Sequence, residues 1–306
     1  MKSILKAVLI KLPFVGNEFR EYFLLRDNSC FSPGHFYSTI VDVKEIEKRE
    51  KYIWSRRDSL SIPAIDLHLN DQLNLVNEFY QYYQEMPFTD KKLAQLRFYF
   101  DNDYYSYTDA SVLYFMMRHC RPKRIIEVGS GFSSAIMLDT NQLFFDNKIQ
   151  LTFIEPFPER LKMLIRADDY NFVNLFESNV QSVDLNIFKQ LEEGDFLFID
   201  SSHVSKTDSD LNYLLFEVLP LLKPGVMIHF HDIFYPFEYP KKWVQEGRNW
   251  NEIYFLRAFL MYNPVFKIEL FVDYLHAHHS ECFAKLPLLY KNTGGCMWIK
   301  KNYESV

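Results

Sequence analysis

The chain is poor in the residues that build cross-linked scaffolds. Its four cysteines, Cys30, Cys120, Cys282 and Cys296, are widely spaced and include no CxxC pair. That excludes a disulfide framework or zinc knuckle as the organising device and fits reduced thiols in a cytoplasmic setting. No internal repeat and no low-complexity tract occurs. No excess of basic residues is present either: the net charge is −6, so nucleic acid is not the expected partner. Long apolar runs are also missing. The opening "MKSILKAVLIKLPFVG" is interrupted by Lys6 and Lys11, lacks a small-residue cleavage site and is too short to span a bilayer. It reads as an amphipathic helix, with peripheral membrane contact as the alternative and no stable membrane insertion.

What the chain has in quantity is aromatic side chains, 29 Phe and 20 Tyr among 306 residues, enough for a large core and for aromatic-lined clefts. Two parts are expected. Residues 1–118 form an aromatic-rich, mainly helical extension on the substrate side, with helical spacing in "DQLNLVNEFYQYYQEM" and in "TDASVLYFMMRHC". Residues 119–306 alternate short apolar runs ("RIIEV", "LTFIE", "FVNLF", "DFLFID", "VMIHFH") with segments of helical character ("SSAIMLDTNQLFF", "PERLKMLIRADD", "SVDLNIFKQLEE", "LNYLLFEVLPLL"). Strands that are apolar throughout and separated by helices predict a doubly wound α/β sheet covered on both faces. The late runs "FKIELFV" and "GCMWIKK" predict an antiparallel pair at one edge.

The first strand leads into "EVGSGFSS". Gly129 and Gly131 allow a ligand close to the backbone at the turn where such sheets bind nucleotide-like molecules. Glu155 ends the next strand, where a carboxylate can accept hydrogen bonds from both ribose hydroxyls. A dinucleotide would require a third glycine where Ser134 stands. S-adenosylmethionine carries no phosphate and imposes no such requirement.

These residues resemble the class I S-adenosylmethionine-dependent methyltransferases. "IIEVGSGFSS" is similar to their first motif, "LTFIEPFPERL" to the second, "DFLFIDSSH" to the fourth and "LLKPGVMIHFHDI" to the strand after it. The likeness is nearest to a bacterial group of small-molecule methyltransferases of the domain 24 type. The resemblance implies a Rossmann-like sheet of seven strands in the order 3-2-1-4-5-7-6, the seventh antiparallel. It places Glu127, Gly129, Ser130 and Gly131 along the methionine end of S-adenosylmethionine, Glu155 on the ribose, and Val180 and Gln181 near adenine. Ser133 stands where many members have a third glycine.

Methyl transfer to a hydroxyl needs alignment and somewhere for a proton to go. Asp200 ends the fourth apolar run, His203 follows in the loop, and His231 and Asp232 end the fifth. His229 shares a strand face with His231 but lies deeper, as a hydrogen-bonded core residue. Asp200, His203, His231 and Asp232 are the expected catalytic residues, with either histidine as base. Some related O-methyltransferases hold Mg²⁺ at the places of Asp200 and Asp232, but His231 stands where a hard oxygen ligand would be expected. A metal held by Asp200, His231 and Asp232 therefore ranks behind a histidine base. The aromatic stretch "FYPFEYPKKWVQEGRNWNEIYF" reads as a lid over the acceptor or as packing, and Tyr104, Tyr105 and Asp109 as a closure of the cofactor's other side. "HAHHSE" reads as a solvated loop. The expected activity is methylation of a hydroxyl on a small molecule or glycan. A non-catalytic cofactor-binding scaffold is the first alternative, and a metallohydrolase using HxHD the second.

Overall fold

The computed structural model describes residues 2–13 and 15–302. They form two compact units, one of residues up to Trp54 with Pro240–Asn249, the other of Ser55–Tyr239 with Trp250 onward. The compact division thus falls at Trp54 and not near 118. The helices Leu69–Tyr83 and Tyr107–Cys120 belong with the sheet because their apolar residues, among them Val76, Phe79, Leu113 and Phe115, are buried within that unit.

The smaller unit is helical, with segments Lys2–Leu9, Gly16–Asn28, Val43–Lys48, Glu50–Trp54 and Lys241–Gln245. Asp42 caps the third of these by accepting from the amides of Lys44 and Glu45, at 2.9 and 3.4 Å.

The larger unit is built on seven strands: β1 (Arg124–Val128), β2 (Gln150–Ile154), β3 (Val173–Phe176), β4 (Phe196–Ile199), β5 (Met227–Phe230), β6 (Phe266–Phe271) and β7 (Met297–Lys301). Their order is 3-2-1-4-5-7-6. The first five run parallel, and β7 is antiparallel to both β5 and β6. The apolar runs predict the covered parallel sheet and its antiparallel edge pair, and the family resemblance implies this Rossmann-like strand order. β4 and β5 are buried along their whole length, as a sheet covered on both faces requires.

Several local expectations fail. The run from Glu159 is helical only to Lys162, and the segments 167–171 and 185–190 are 3₁₀ turns. By contrast, the stretch from Asp210 is helical to Leu221 as expected, with a π turn over Leu214–Val218. "HAHHSE" is not a solvated loop: its histidines lie in and just after the helix Val272–His278 and are half-buried. The aromatics 234–239 are packed and do not form a free cover, with Tyr235 and Phe237 against Phe271.

Candidate active site

The site lies at the carboxyl ends of β1, β2, β4 and β5, where the strand ladder continues briefly into the loops. Gly129, Asp200 and His231 each donate a backbone bond to the neighbouring strand's last residues, at 3.0, 2.9 and 3.0 Å. Gly129 has φ +85°, and a Cβ there would stand 1.7 Å from the Asp200 carbonyl oxygen. Only glycine lets the β1 turn and the β4 loop touch. Beside that contact is a cavity of about 500 Å³ bounded by Gly129, Glu155, Val180, Gln181, Asp200 and Ser201, with Lys206 and Asp208 at another wall.

Glu127 does not line this cavity. It is fully buried and accepts from the hydroxyls of Ser133, at 2.5 Å, and Ser134. Burial pushes its carboxyl up to about 8, against the pull of those two donors. Ser134 also accepts from the amide of Gly131, at 3.0 Å. Ser133 and Ser134, the positions that depart from glycine-rich turns, thus hold Glu127 under the loop. Glu155 faces the cavity with one backbone donor on each oxygen: Ser130 N at 2.9 Å and Phe157 N at 2.7 Å. Each oxygen keeps acceptor capacity for a further donor. Val180 is buried. The Gln181 amide nitrogen donates to the Asp208 carbonyl at 2.7 Å, while its oxygen is buried with no partner among the described residues. The hydroxyl of Ser201 is also buried and has no partner among the described residues. Orphaned polar atoms around one cavity mark places where a polar ligand completes the hydrogen bonding.

Asp200, His203, His231 and Asp232 come together next to this cavity. His203 has φ +59° and is buried. Its Nδ1 lies 2.7 Å from Glu252 Oε2, and its Nε2 lies 3.4 Å from Asp200 Oδ1 and 3.6 Å from Asp232 Oδ2. Its carbonyl accepts from the amides of Asn251 and Glu252, both at 3.1 Å, and Trp250 packs on its ring at 4.4 Å. Burial works against a charged imidazole, but Asp200 and Glu252 outweigh it and hold His203 well above 6.5. Burial likewise opposes an ionised Asp200, but His231 and His203 outweigh it and hold that carboxyl below its ordinary range. Asp232 is raised, by burial first.

His231 lies just past β5, more than nine-tenths buried, with Nδ1 unpartnered among the described residues and Nε2 3.7 Å from Asp232 Oδ1. One donor atom from each of Asp200, His231 and Asp232 lies within 4.8 Å of the others. His229 is a core residue, but not a hydrogen-bonded one. Neither ring nitrogen has a partner among the described residues, and the ring stacks on Phe198 at 3.8 Å. Burial holds it neutral.

Of the residues expected to close the other side, Tyr105 is buried against His231, at 5.2 Å between ring centroids, and Asp109 accepts from Gly295 N at 2.9 Å. Tyr104 stacks on Phe132, under the Arg160 guanidinium. Glu252 was missed in the sequence. Asn251-Glu252 ahead of an apolar helix is a start signal, but nothing in it shows that the helix begins under His203.

The fold thus sets a glycine turn, a carboxylate after β2 and an acid after β4 around one cavity at the carboxyl ends of the strands, where open α/β sheets bind ligands. Over part of its length the chain belongs to a methyltransferase family. Residues 126–233 match the model of the family described as a methyltransferase domain. An uncharacterised protein of Archaeoglobus fulgidus is 37% identical over 166 residues, 53% of this chain and 74% of that one. Among solved structures, the S-adenosylhomocysteine-bound methyltransferase PaMTH1 of Podospora anserina is 18% identical, covering 87% of this chain and 99% of that one at a TM-score of 0.39. The O-methyltransferase TomG of Streptomyces achromogenes, solved with S-adenosylmethionine, is 13% identical, covering 76% and 89% at a TM-score of 0.40. Among the described residues no helix is long and apolar enough to cross a membrane.

Proposed function

We propose that the protein transfers the methyl group of S-adenosylmethionine to a hydroxyl on a small molecule or glycan. The observation that carries this reading is the junction of the cavity with the four-residue proton cluster, which meet at Asp200. Glu155 binds the ribose through its free acceptor capacity. The Gln181 oxygen, oriented by the bond to Asp208, takes a donor from the adenine, beside Val180. Gly129, Ser130 and Gly131 run along the methionine end, with Glu127 holding the turn from below.

The reaction breaks the sulfonium S–CH₃ bond, forms O–CH₃ and releases the acceptor proton. Positioning and exclusion of water do most of the work. The proton passes to the Asp200–Asp232 carboxylate pair, whose charge is balanced by the His203 imidazolium, with Nε2 within 3.6 Å of both. Both nitrogens of His203 face carboxylates, so it enters as a proton holder fixed by Glu252. His231 supports the pair with its charge.

The same three residues fit a cation. Two carboxylates with one buried, unpartnered imidazole form a mixed oxygen and nitrogen set, which suits Mn²⁺ or Zn²⁺ better than Mg²⁺. A dication held by Asp200, His231 and Asp232 would lower the pKa of a hydroxyl beside it.

Calorimetric titration with S-adenosylmethionine and S-adenosylhomocysteine tests the reading, followed by a panel of hydroxylated acceptors assayed for S-adenosylhomocysteine release. Binding of both and turnover on a hydroxyl acceptor are expected. Absence of binding to either would overturn it.

A further inference from the structure

The smaller unit has almost no interior. Among the residues up to Trp54 whose exposure is described, Gly16 alone is buried, and none of Pro240–Asn249 is. Its large apolar side chains face outward instead. On the first helix Leu5 and Val8, one turn apart, are 60% and 54% exposed, and Leu12 follows in the turn at 40%. On the second, Tyr22 and Leu25, again one turn apart, are 55% and 42% exposed. Water-facing apolar residues at helical spacing on two packed helices form a face that something else covers.

Charge identifies the cover. The unit carries twelve Lys and Arg against eight Asp and Glu, a net of +4, in a chain whose net charge is −6. Half of that excess lies in the first 28 residues, which span the two helices and hold Lys2, Lys6, Lys11, Arg20 and Arg26 against Glu18, Glu21 and Asp27. Lys6 is paired with Asp27. Lys11, Arg20 and Arg26 make no ion pair among the described residues. A second copy of the chain would bring the same positive face against itself, which like-charge repulsion opposes. A short amphipathic helix with basic residues beside Leu and Val side chains is the form that lies in a lipid interface. Tyr22 adds an aromatic of the kind that settles at headgroup level.

We propose that this unit docks on an anionic lipid surface, with Leu5, Val8, Leu12, Tyr22 and Leu25 in the interface and Lys11, Arg20 and Arg26 against the headgroups. The inference does not rest on the methyltransferase reading, because cofactor binding is measured without vesicles.

The test is flotation of the full chain with vesicles of phosphatidylcholine alone and of phosphatidylcholine with phosphatidylglycerol. Binding is expected only to the anionic vesicles, and it should weaken as salt is raised. Lys11→Glu should reduce the bound fraction about fivefold or more, because it removes a cation and adds an anion at the surface. The pair Leu5→Glu with Val8→Glu should reduce it by about tenfold or more. Circular dichroism and calorimetric titration with S-adenosylhomocysteine establish that each variant is folded. Equal binding to neutral vesicles, or none to anionic ones, overturns the proposal. A concentration-dependent dimer in light scattering that Leu5→Glu abolishes also overturns it, and assigns the face to a second copy of the chain.

Discussion

Glu252 and His203 form a buried pair in which the carboxylate lies 2.7 Å from Nδ1 and the amide of residue 252 caps the histidine's own carbonyl. Burial lowers the imidazole's proton affinity, but Asp200 and Glu252 outweigh it, so His203 is held well above 6.5. A group raised in the fold stabilises it fully below the unfolded value, about 6.5 for histidine. That stabilisation is lost as pH rises through the folded value. Glu252→Gln should therefore lower the pKa of His203 read by NMR, through loss of a charged hydrogen bond worth about 1.5–3 kcal/mol. The stability gap between wild type and variant, from denaturant titrations, should narrow as pH rises through the wild-type His203 value. An unmoved His203 titration would show that the pair is not coupled.

Glu155 tests the cofactor assignment separately. Its two oxygens are positioned by Ser130 N and Phe157 N and make no other hydrogen bond among the described residues. Hydrogen bonds to a charged carboxylate contribute about 1.5–3 kcal/mol each. Glu155→Ala should thus weaken S-adenosylhomocysteine binding in calorimetry by about 100-fold, with the melting temperature of the unliganded protein little changed. Unchanged affinity would remove the ribose from this carboxylate.

The sheet and the turn were legible because each rests on local sequence. Apolar strands alternating with helices dictate a covered parallel sheet, and Gly129 announces a close approach that the Asp200 carbonyl then makes. Asp200, His203, His231 and Asp232 could be grouped because strand ends share one edge. What sequence could not show is long-range pairing. Glu252 meets His203 across 49 residues and Arg97 meets Asp169 across 72, and no periodicity encodes either contact. The three-residue metal candidate was visible, but not that His203 already places a positive charge beside its carboxylates. The helices expected after β2 and β3 fell short because periodic apolar residues served 3₁₀ turns instead.

Arg97 is 4% exposed and holds two buried carboxylates. Nη1 reaches Asp139 at 2.7 Å, Nε reaches Asp169 at 3.1 Å, and Asp139 also accepts from the amides of Arg97 and Phe98. Removing Asp139 leaves Arg97 with Asp169 alone and the buried amides of Arg97 and Phe98 without their acceptor. Asp139→Ala should cost about 3–5 kcal/mol in chemical denaturation. A loss below about 1 kcal/mol, the range of exposed pairs, would contradict the buried network.

The cation reading gives a prediction that does not depend on activity. In protein stripped with a chelator, the imidazolium of His203 still stands within 3.6 Å of both Asp200 and Asp232. The carboxylates are therefore compensated, and the stripped protein should stay folded, melting below the Mn²⁺-loaded form only by the linkage of that binding. Mn²⁺ followed by electron paramagnetic resonance should bind this stripped protein more tightly than Mg²⁺ competes for it, because one of three donors is an imidazole. His231→Ala removes that donor and should weaken Mn²⁺ by about tenfold or more while changing Mg²⁺ less, since hard cations draw little from a nitrogen ligand. Equal losses for the two ions would mean that His231 does not contact the cation. No Mn²⁺ binding at all would leave Asp200, His203 and Asp232 as a proton-holding cluster alone.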